Sequence, residues 1–283
     1  KKVAPITMKR FFKYVAVILC VLLAIPVISL LCVLGIYYNV VHAVPGTLTV
    51  NVSPGDLGAK VNPFAGTGGF QWMCAYDTPA ATVPFGMVRL GPDTASLFIN
   101  ETAMNASGYY YGDNKIIGFS HTRLVGADAE EGGVFRIFPT VGSRIEKMRG
   151  KERFARFSHH EEIAFPGYYA VKLPKDDILA EMTATTRVGV HRYTFQKEDA
   201  PHLLVDVSSV LGQHRSVNGV VKVIPAAQEM EGTIRSYGSF SGRYDGLEVF
   251  FVARFSQPFA AFGTWNGGQF SPNSADAAGD DIG

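Results

Sequence analysis

The sequence predicts an all-β fold, an antiparallel β-sandwich, preceded by a single transmembrane helix. Three observations carry this reading. A near-continuous apolar stretch, Tyr14–Tyr38, lies close to the N-terminus. Beyond it the apolar residues recur mostly with period two, in short runs rich in β-branched and aromatic side chains. No later stretch keeps a 3.6-residue period bounded by helix caps, so many strands and few helices argue for a sandwich over an α/β fold.

At 283 residues, 47% of them apolar and 18% charged, the chain is long enough to bury a real core. Wholesale disorder and collagen-like repeats are excluded by the same composition. Its 26 basic and 25 acidic residues nearly cancel, but Lys1, Lys2, Lys9, Arg10 and Lys13 all precede the first acid. The rest of the chain is therefore mildly acidic, which disfavours nucleic acid as a partner.

Residues 1–13 read as a basic tail and 14–41 as a signal anchor, because no ionisable Asp, Glu, Lys, Arg or His occurs from Tyr14 to Val41. As a helix, Tyr14–Tyr38 spans about 37 Å, more than the ~30 Å hydrocarbon layer requires. Pro26 predicts a kink that a bilayer tolerates, and Tyr37 and Tyr38 suit the interface. A cleaved signal peptide has a shorter apolar core. The basic tail places the N-terminus in the cytosol and the body in the secretory lumen or outside the cell. Cys20 and Cys32 fall inside the span, leaving Cys74 alone in the body and no internal disulfide frame. Asn51, Asn100 and Asn105 begin glycosylation sequons that this orientation would expose to modification.

Residues 42–60 read as a stalk with a short alternating run, Leu48–Val52. Strands are expected at 167–173, 187–195, 202–207, 219–224 and 248–255, with turns at Pro174–Asp177, Asn218-Gly219 and Asp245-Gly246. The Gly-, Ser-, Asn- and Asp-rich tail 266–283 reads as a linker or truncated end, so the sandwich is expected over 61–265.

Among polar clusters, Asp128–Gly132 lacks the spacing of a calcium loop and reads as a solvated turn. His159-His160-Glu161-Glu162 reads as an exposed polar patch, since adjacent ligands rarely converge on one ion. Gly66–Gly69 lacks the lysine of a phosphate loop. Cys74 could act as a nucleophile with His121 or His191 as base, although a lone cysteine is more often packing. Ser120-His121 is no dyad, because strand neighbours point to opposite faces. Trp72, Tyr76 and Tyr109–Tyr111 could stack on pyranose rings or fill the core.

Several ordered motifs carry a family resemblance. They are Val61–Gly69 (VNPFAGTGG), Pro79–Thr94 (PAATVPFGMVRLGPDT), Ser107–Tyr111 (SGYYY) and Ile117–Thr122 (IGFSHT), followed by Pro166–Leu173 (PGYYAVKL) and Thr183–Phe195 (TATTRVGVHRYTF). In this order, over about 61–259, the chain resembles the N-terminal domain of glycoside hydrolase family 92, the exo-acting α-mannosidases. The resemblance implies a β-sandwich that closes one side of a mannose pocket. It also implies a following (α/α)-barrel domain that carries the inverting carboxylate pair and most ligands of a calcium ion. That barrel is missing from the sequence as it stands, so no residue here is assigned a catalytic or metal-binding role. Trp72, Tyr76, Tyr109, His121 and Thr122 are the candidate substrate contacts, and mannose-containing glycans the expected partner. The rival expectation is a membrane-tethered, non-catalytic carbohydrate-binding or adhesion module. The chain departs from the family pattern after Ser-His-Thr, where Arg123, Val125 and Ala127-Asp128 replace a second histidine and a glycine-rich turn.

Overall fold

The computed structural model describes residues 8–41, 46–69, 76–95, 106–142, 153–196 and 200–283. The chain divides into two compact units, Lys1–Ala43 and Val44–Gly283.

The first unit holds one helix, α1 (Met8–Val41), with Pro26 inside it. It begins earlier than the apolar stretch alone predicts, because Lys9, Arg10 and Lys13 are good helix formers and continue its first turns. Within it, Met8–Gly35 contains an 18-residue window with a mean hydropathy of 3.2 and is long and apolar enough to cross a membrane.

The second unit is built from antiparallel strands in layers. Strands β1 (Ala81–Thr82), β2 (Arg89–Ala95), β3 (Lys115–Ser120), β4 (Arg136–Val141) and β10 (Pro201–Asp206) form one sheet in that order, with β5 (Ala155–Arg156) also on β3. A meander of β6 (Glu162–Phe165), β7 (Tyr168–Leu173), β8 (Ile178–Ala184) and β9 (Gly189–Phe195) forms a second. The third runs in the order β13 (Leu247–Arg254), β12 (Glu229–Tyr237), β11 (Arg215–Ile224) and β16 (Asp276–Gly279). A ribbon of β14 (Gly263–Asn266) and β15 (Gln269–Pro272) completes the fold.

The first sheet is a shared wall. Its strands send alternate residues into two separate cores. Leu90, Ile116, Phe119, Phe138 and Leu204 meet Tyr169, Val171, Leu173, Ile178 and Met182 of the meander. Ile137 and Val205, each adjacent in sequence to a member of that core, turn the other way and meet Val221, Met230, Ile234 and Ile282. The expected sandwich is present, with a third layer added to it.

Two expectations are corrected. The tail 266–283 is not a linker: β16 pairs with β11, Ile282 is wholly buried, and the Gly283 carbonyl accepts a bond from the Trp265 amide. Its small residues pair through backbone groups, which leave no apolar period to read. Asn218-Gly219 is not a hairpin turn but a bulge within β11, where Asn218 takes a φ of 56° and the register shifts between Val217 and Val220. In the stalk, Thr47 donates from its amide and hydroxyl to the His160 carbonyl, and a short 3₁₀ turn follows at Leu57–Lys60. The Asp245-Gly246 turn, by contrast, lies as expected between β12 and β13, with both residues at positive φ.

Candidate functional site

The motif residues gather where β3 ends. Ser120 and His121 diverge, as strand geometry requires. Ser120 is buried and its hydroxyl donates to Asp93 at 2.9 Å, while the His121 ring points towards the meander. The following loop folds back as a small hairpin: Arg123 bridges Gly132, and the Gly133 amide donates to the Thr122 carbonyl at 2.6 Å. Gly132 is required there, since its φ is +86° and a Cβ would lie 2.6 Å from the Thr122 carbonyl oxygen. At the hairpin tip the Gly126 amide donates to the Tyr76 carbonyl, joining this loop to the 76–80 segment.

Arg123, the family departure, is buried and serves as an internal brace. Its guanidinium donates to the carbonyls of Gly91, Pro92 and Ser107 at 2.7, 2.9 and 3.2 Å, and lies 3.2 Å from the Asp93 carboxylate. Asp93 also accepts from Arg136 at 2.6 Å. Removing one partner of such a buried pair typically costs about 3–5 kcal/mol, because a charge is left without compensation. Arg123 thus fixes the loop from beneath through both terminal nitrogens, while its Nε is enclosed with no partner among the described residues.

His121 is committed as well. Its Nδ1 lies 2.8 Å from the Phe135 carbonyl and its Nε2 lies 3.0 Å from His191 Nε2, whose Nδ1 is 2.8 Å from the Tyr193 hydroxyl. A carbonyl only accepts, so His121 Nδ1 donates and its Nε2 must accept. His191 Nε2 then donates, and its Nδ1 accepts from Tyr193. One anchor thus sets the tautomers of two neutral rings. Both residues keep part of their surface, yet all four ring nitrogens face protein groups. Burial lowers His121 from its ordinary value and lowers His191 well below it, with His121 adding to the latter. Burial likewise pushes the Tyr193 hydroxyl well up.

The remaining candidates separate. Tyr76 is half-buried at the loop junction. The Thr122 hydroxyl is enclosed and has no hydrogen-bond partner among the described residues. Tyr109 is corrected: it is wholly buried, donates to Glu162 at 3.1 Å, and offers no ring face to a sugar. Tyr110 and Tyr111 are buried too. Trp72, Cys74, Asn100 and Asn105 lie outside the described residues, whereas Asn51 is exposed. The polar patch expected at 159–162 is also corrected, for Glu162 is buried and accepts from Tyr109, Tyr169 and His159.

Two features escaped the sequence reading. The alternation of β9 puts His191 inward and Arg192 outward, but nothing local shows that His191 meets a residue 70 positions earlier. Phe85 is 99% exposed and takes a φ of 61°, in a turn closed by the Gly86 amide donating to the Val83 carbonyl. A bulky residue in that conformation is disfavoured, so an exposed aromatic held there is a structural outlier. Met87, Val188 and Val190 are also exposed, and the Met87 amide bonds Thr186.

The acidic turn does not fit a calcium ion. Glu131 accepts from the amides of Phe240 and Ser241 at 2.8 and 3.0 Å; desolvation pushes it up, but these bonds outweigh burial and hold it low. Glu130 is raised by desolvation and lies 3.6 Å from His214. Among the described residues no group of three or more carboxylate, imidazole or thiol side chains is placed to hold a metal.

Similarity to known proteins bears on this geometry. No curated protein matches the chain. Among solved structures, the family GH92 α-mannosidase BT3965 from Bacteroides thetaiotaomicron is 28% identical, with a TM-score of 0.68 over 80% of this chain and 30% of its own. The family GH92 inverting mannosidase BT2199 from the same organism is 25% identical, with a TM-score of 0.66 over 82% of this chain and 29% of its own. The glycosyl hydrolase ccman5 of the same family is 28% identical, with a TM-score of 0.60 over 73% of this chain and 28% of its own. The chain therefore spans under a third of the length of these structures. The model of the glycosyl hydrolase family 92 N-terminal domain matches residues 60–283, and with the sheet architecture and the loop at the end of β3 this establishes that the chain belongs to that family.

Proposed function

We propose that residues 60–283 form the sugar-facing wall of an α-mannosidase-like glycoside hydrolase acting on mannosylated glycans, with the acid and base supplied by polypeptide outside this domain. The loops around Tyr76 and Thr122, with Trp72 beside them in sequence, make the wall; Arg123 and the His121–His191 pair hold it in shape. Inversion calls for two carboxyl groups about 6.5–9.5 Å apart. Three acids near this loop are engaged instead, Asp93 by two arginines, Glu131 by two amides and Glu130 beside His214, while Asp77 and Asp128 are exposed. Calcium, if used, would likewise be held outside the described residues. The helix α1 would anchor the protein with its basic tail cytosolic and the wall in the secretory lumen or at the cell exterior.

The observation that carries the reading is the enclosed Thr122 hydroxyl in the family motif, which has no hydrogen-bond partner among the described residues. Leaving such a group unpaired costs about 1–3 kcal/mol, which a sugar hydroxyl meeting a slightly opened loop would relieve. The test is a titration of the full chain in detergent micelles with methyl α-mannoside, followed by NMR of the imidazole protons. Signals from His121 and His191 are expected to move at millimolar sugar while His202 stays fixed. Stationary signals at both residues, or equal shifts with methyl α-glucoside, would overturn the proposal.

A further inference from the structure

The third sheet ends in a strand whose outer edge has no partner among the described residues. Strand β13 pairs only with β12, along eight residues without a register break. It carries no proline, lysine or bulge, the usual protections of a free edge. Its outward face presents Glu248, Phe250, Val252 and Arg254 in alternation, with Phe250 and Val252 at 71% and 65% exposure. Three other edges are blunted. Strands β1 and β5 have two residues each, and self-pairing of β9 about its middle residue would oppose Arg192 with its own copy.

The outward face of β13 is self-complementary. Place a second copy antiparallel to the first about a two-fold axis at Phe251. Glu248 then faces Arg254 of the second copy and Arg254 faces Glu248, while each Phe250 meets a Val252. These are an opposite-charge pair and an aromatic–β-branched pair, each occurring twice and each favourable across strands. The register is specific. Moving the axis to Phe250 opposes Glu248 with Val252, and moving it to Val252 opposes Phe250 with Arg254. Within one copy Glu248 lies 3.7 Å from Arg235 and Arg254 pairs with Glu229, both on β12, so in the dimer each charge would be shared between its own sheet and the second copy.

We propose that the partner of this edge is a second copy of the chain, joined β13 to β13 in a symmetric dimer that continues the four-stranded sheet into eight strands. This is an isologous contact, closed by its own symmetry. It is independent of the sugar-binding proposal.

Charge exchange tests it on the full chain in detergent micelles, by sedimentation and chemical cross-linking. The unaltered chain is expected to dimerise. E248R sets arginine against arginine and R254E sets glutamate against glutamate, so each alone should dimerise about tenfold or more weakly. An equimolar mixture of the two restores both ion pairs and should recover the dimer as a heterodimer. F250K removes the apolar pairs without touching the charges and should also weaken association. Far-ultraviolet dichroism of each variant should match the unaltered chain, since all three positions are exposed. A monomeric unaltered chain would overturn the proposal, as would undiminished dimers of the single variants or no recovery in the mixture. Association through α1 would show itself as indifference to every one of these changes.

Discussion

On the proposed function, Thr122 would weaken the fold while serving the site. Its hydroxyl is enclosed and has no partner among the described residues, so Thr122→Val should stabilise the chain by about 1 kcal/mol, read as a higher urea midpoint at unchanged slope. The same change should weaken mannoside binding in the imidazole titration, a trade of stability against function. If Val also lowers the midpoint, the hydroxyl has a partner in solution and the argument from desolvation fails. At this scale the sequence revealed identities better than roles. The motif drew attention to His121 and Thr122, but Tyr109, equally prominent, proved to be a core residue tied to Glu162. A motif records which residues recur together and not which way each ring points. That direction depended on Tyr169 and Glu162, more than 50 positions away.

At the level of elements, the His121–His191 contact joins the end of β3 to β9, and so ties the shared sheet to the meander. A second proton on His121 would set its Nε2–H against His191 Nε2–H, whereas one on His191 would enter at Nδ1, where the Tyr193 hydroxyl can turn to accept it. Both folded values are depressed, chiefly by burial, below the ~6.5 of a free imidazole. As pH falls through about 6.5 the unfolded chain takes up protons that the folded chain refuses. The stability linked to this pair is therefore complete above that pH and is lost below it, at most about 1.4 kcal/mol per pH unit for each proton. Melting temperatures at pH 7, 6 and 5 should fall in that order, and His191→Gln should flatten the decline. An equally steep profile in that variant would assign the acid sensitivity to other groups, His202 among them. Strand legibility follows the same geometry. β7, β9, β11 and β13 were readable because one face is wetter than the other, and β10, which feeds both cores, by its apolar run alone. β2, β3 and β4 were not, because almost all of their residues are buried and period two vanishes. The bulge at Asn218 mimicked a hairpin signal because both need a residue at positive φ.

Across the whole second unit, two cores share one wall. Leu204 belongs to the first core while its neighbour Val205 belongs to the second, and Phe138 and Ile137 divide in the same way. Calorimetry should accordingly show a single unfolding transition with equal calorimetric and van't Hoff enthalpies, and Phe138→Ala should lower it as one peak by about 3–5 kcal/mol of stability. Two resolved peaks would mean that the cores melt separately. Fold class was accessible from sequence, but the third layer was not, since it depends on a tail of small residues that closes the second core with Ile282. The divided wall also limits how such a domain can change over time. A substitution on β4 or β10 is judged by two interiors at once, so variation should be confined to rims and outer loops, and lineages of this domain should diverge at their edges while the middle strands stay nearly still.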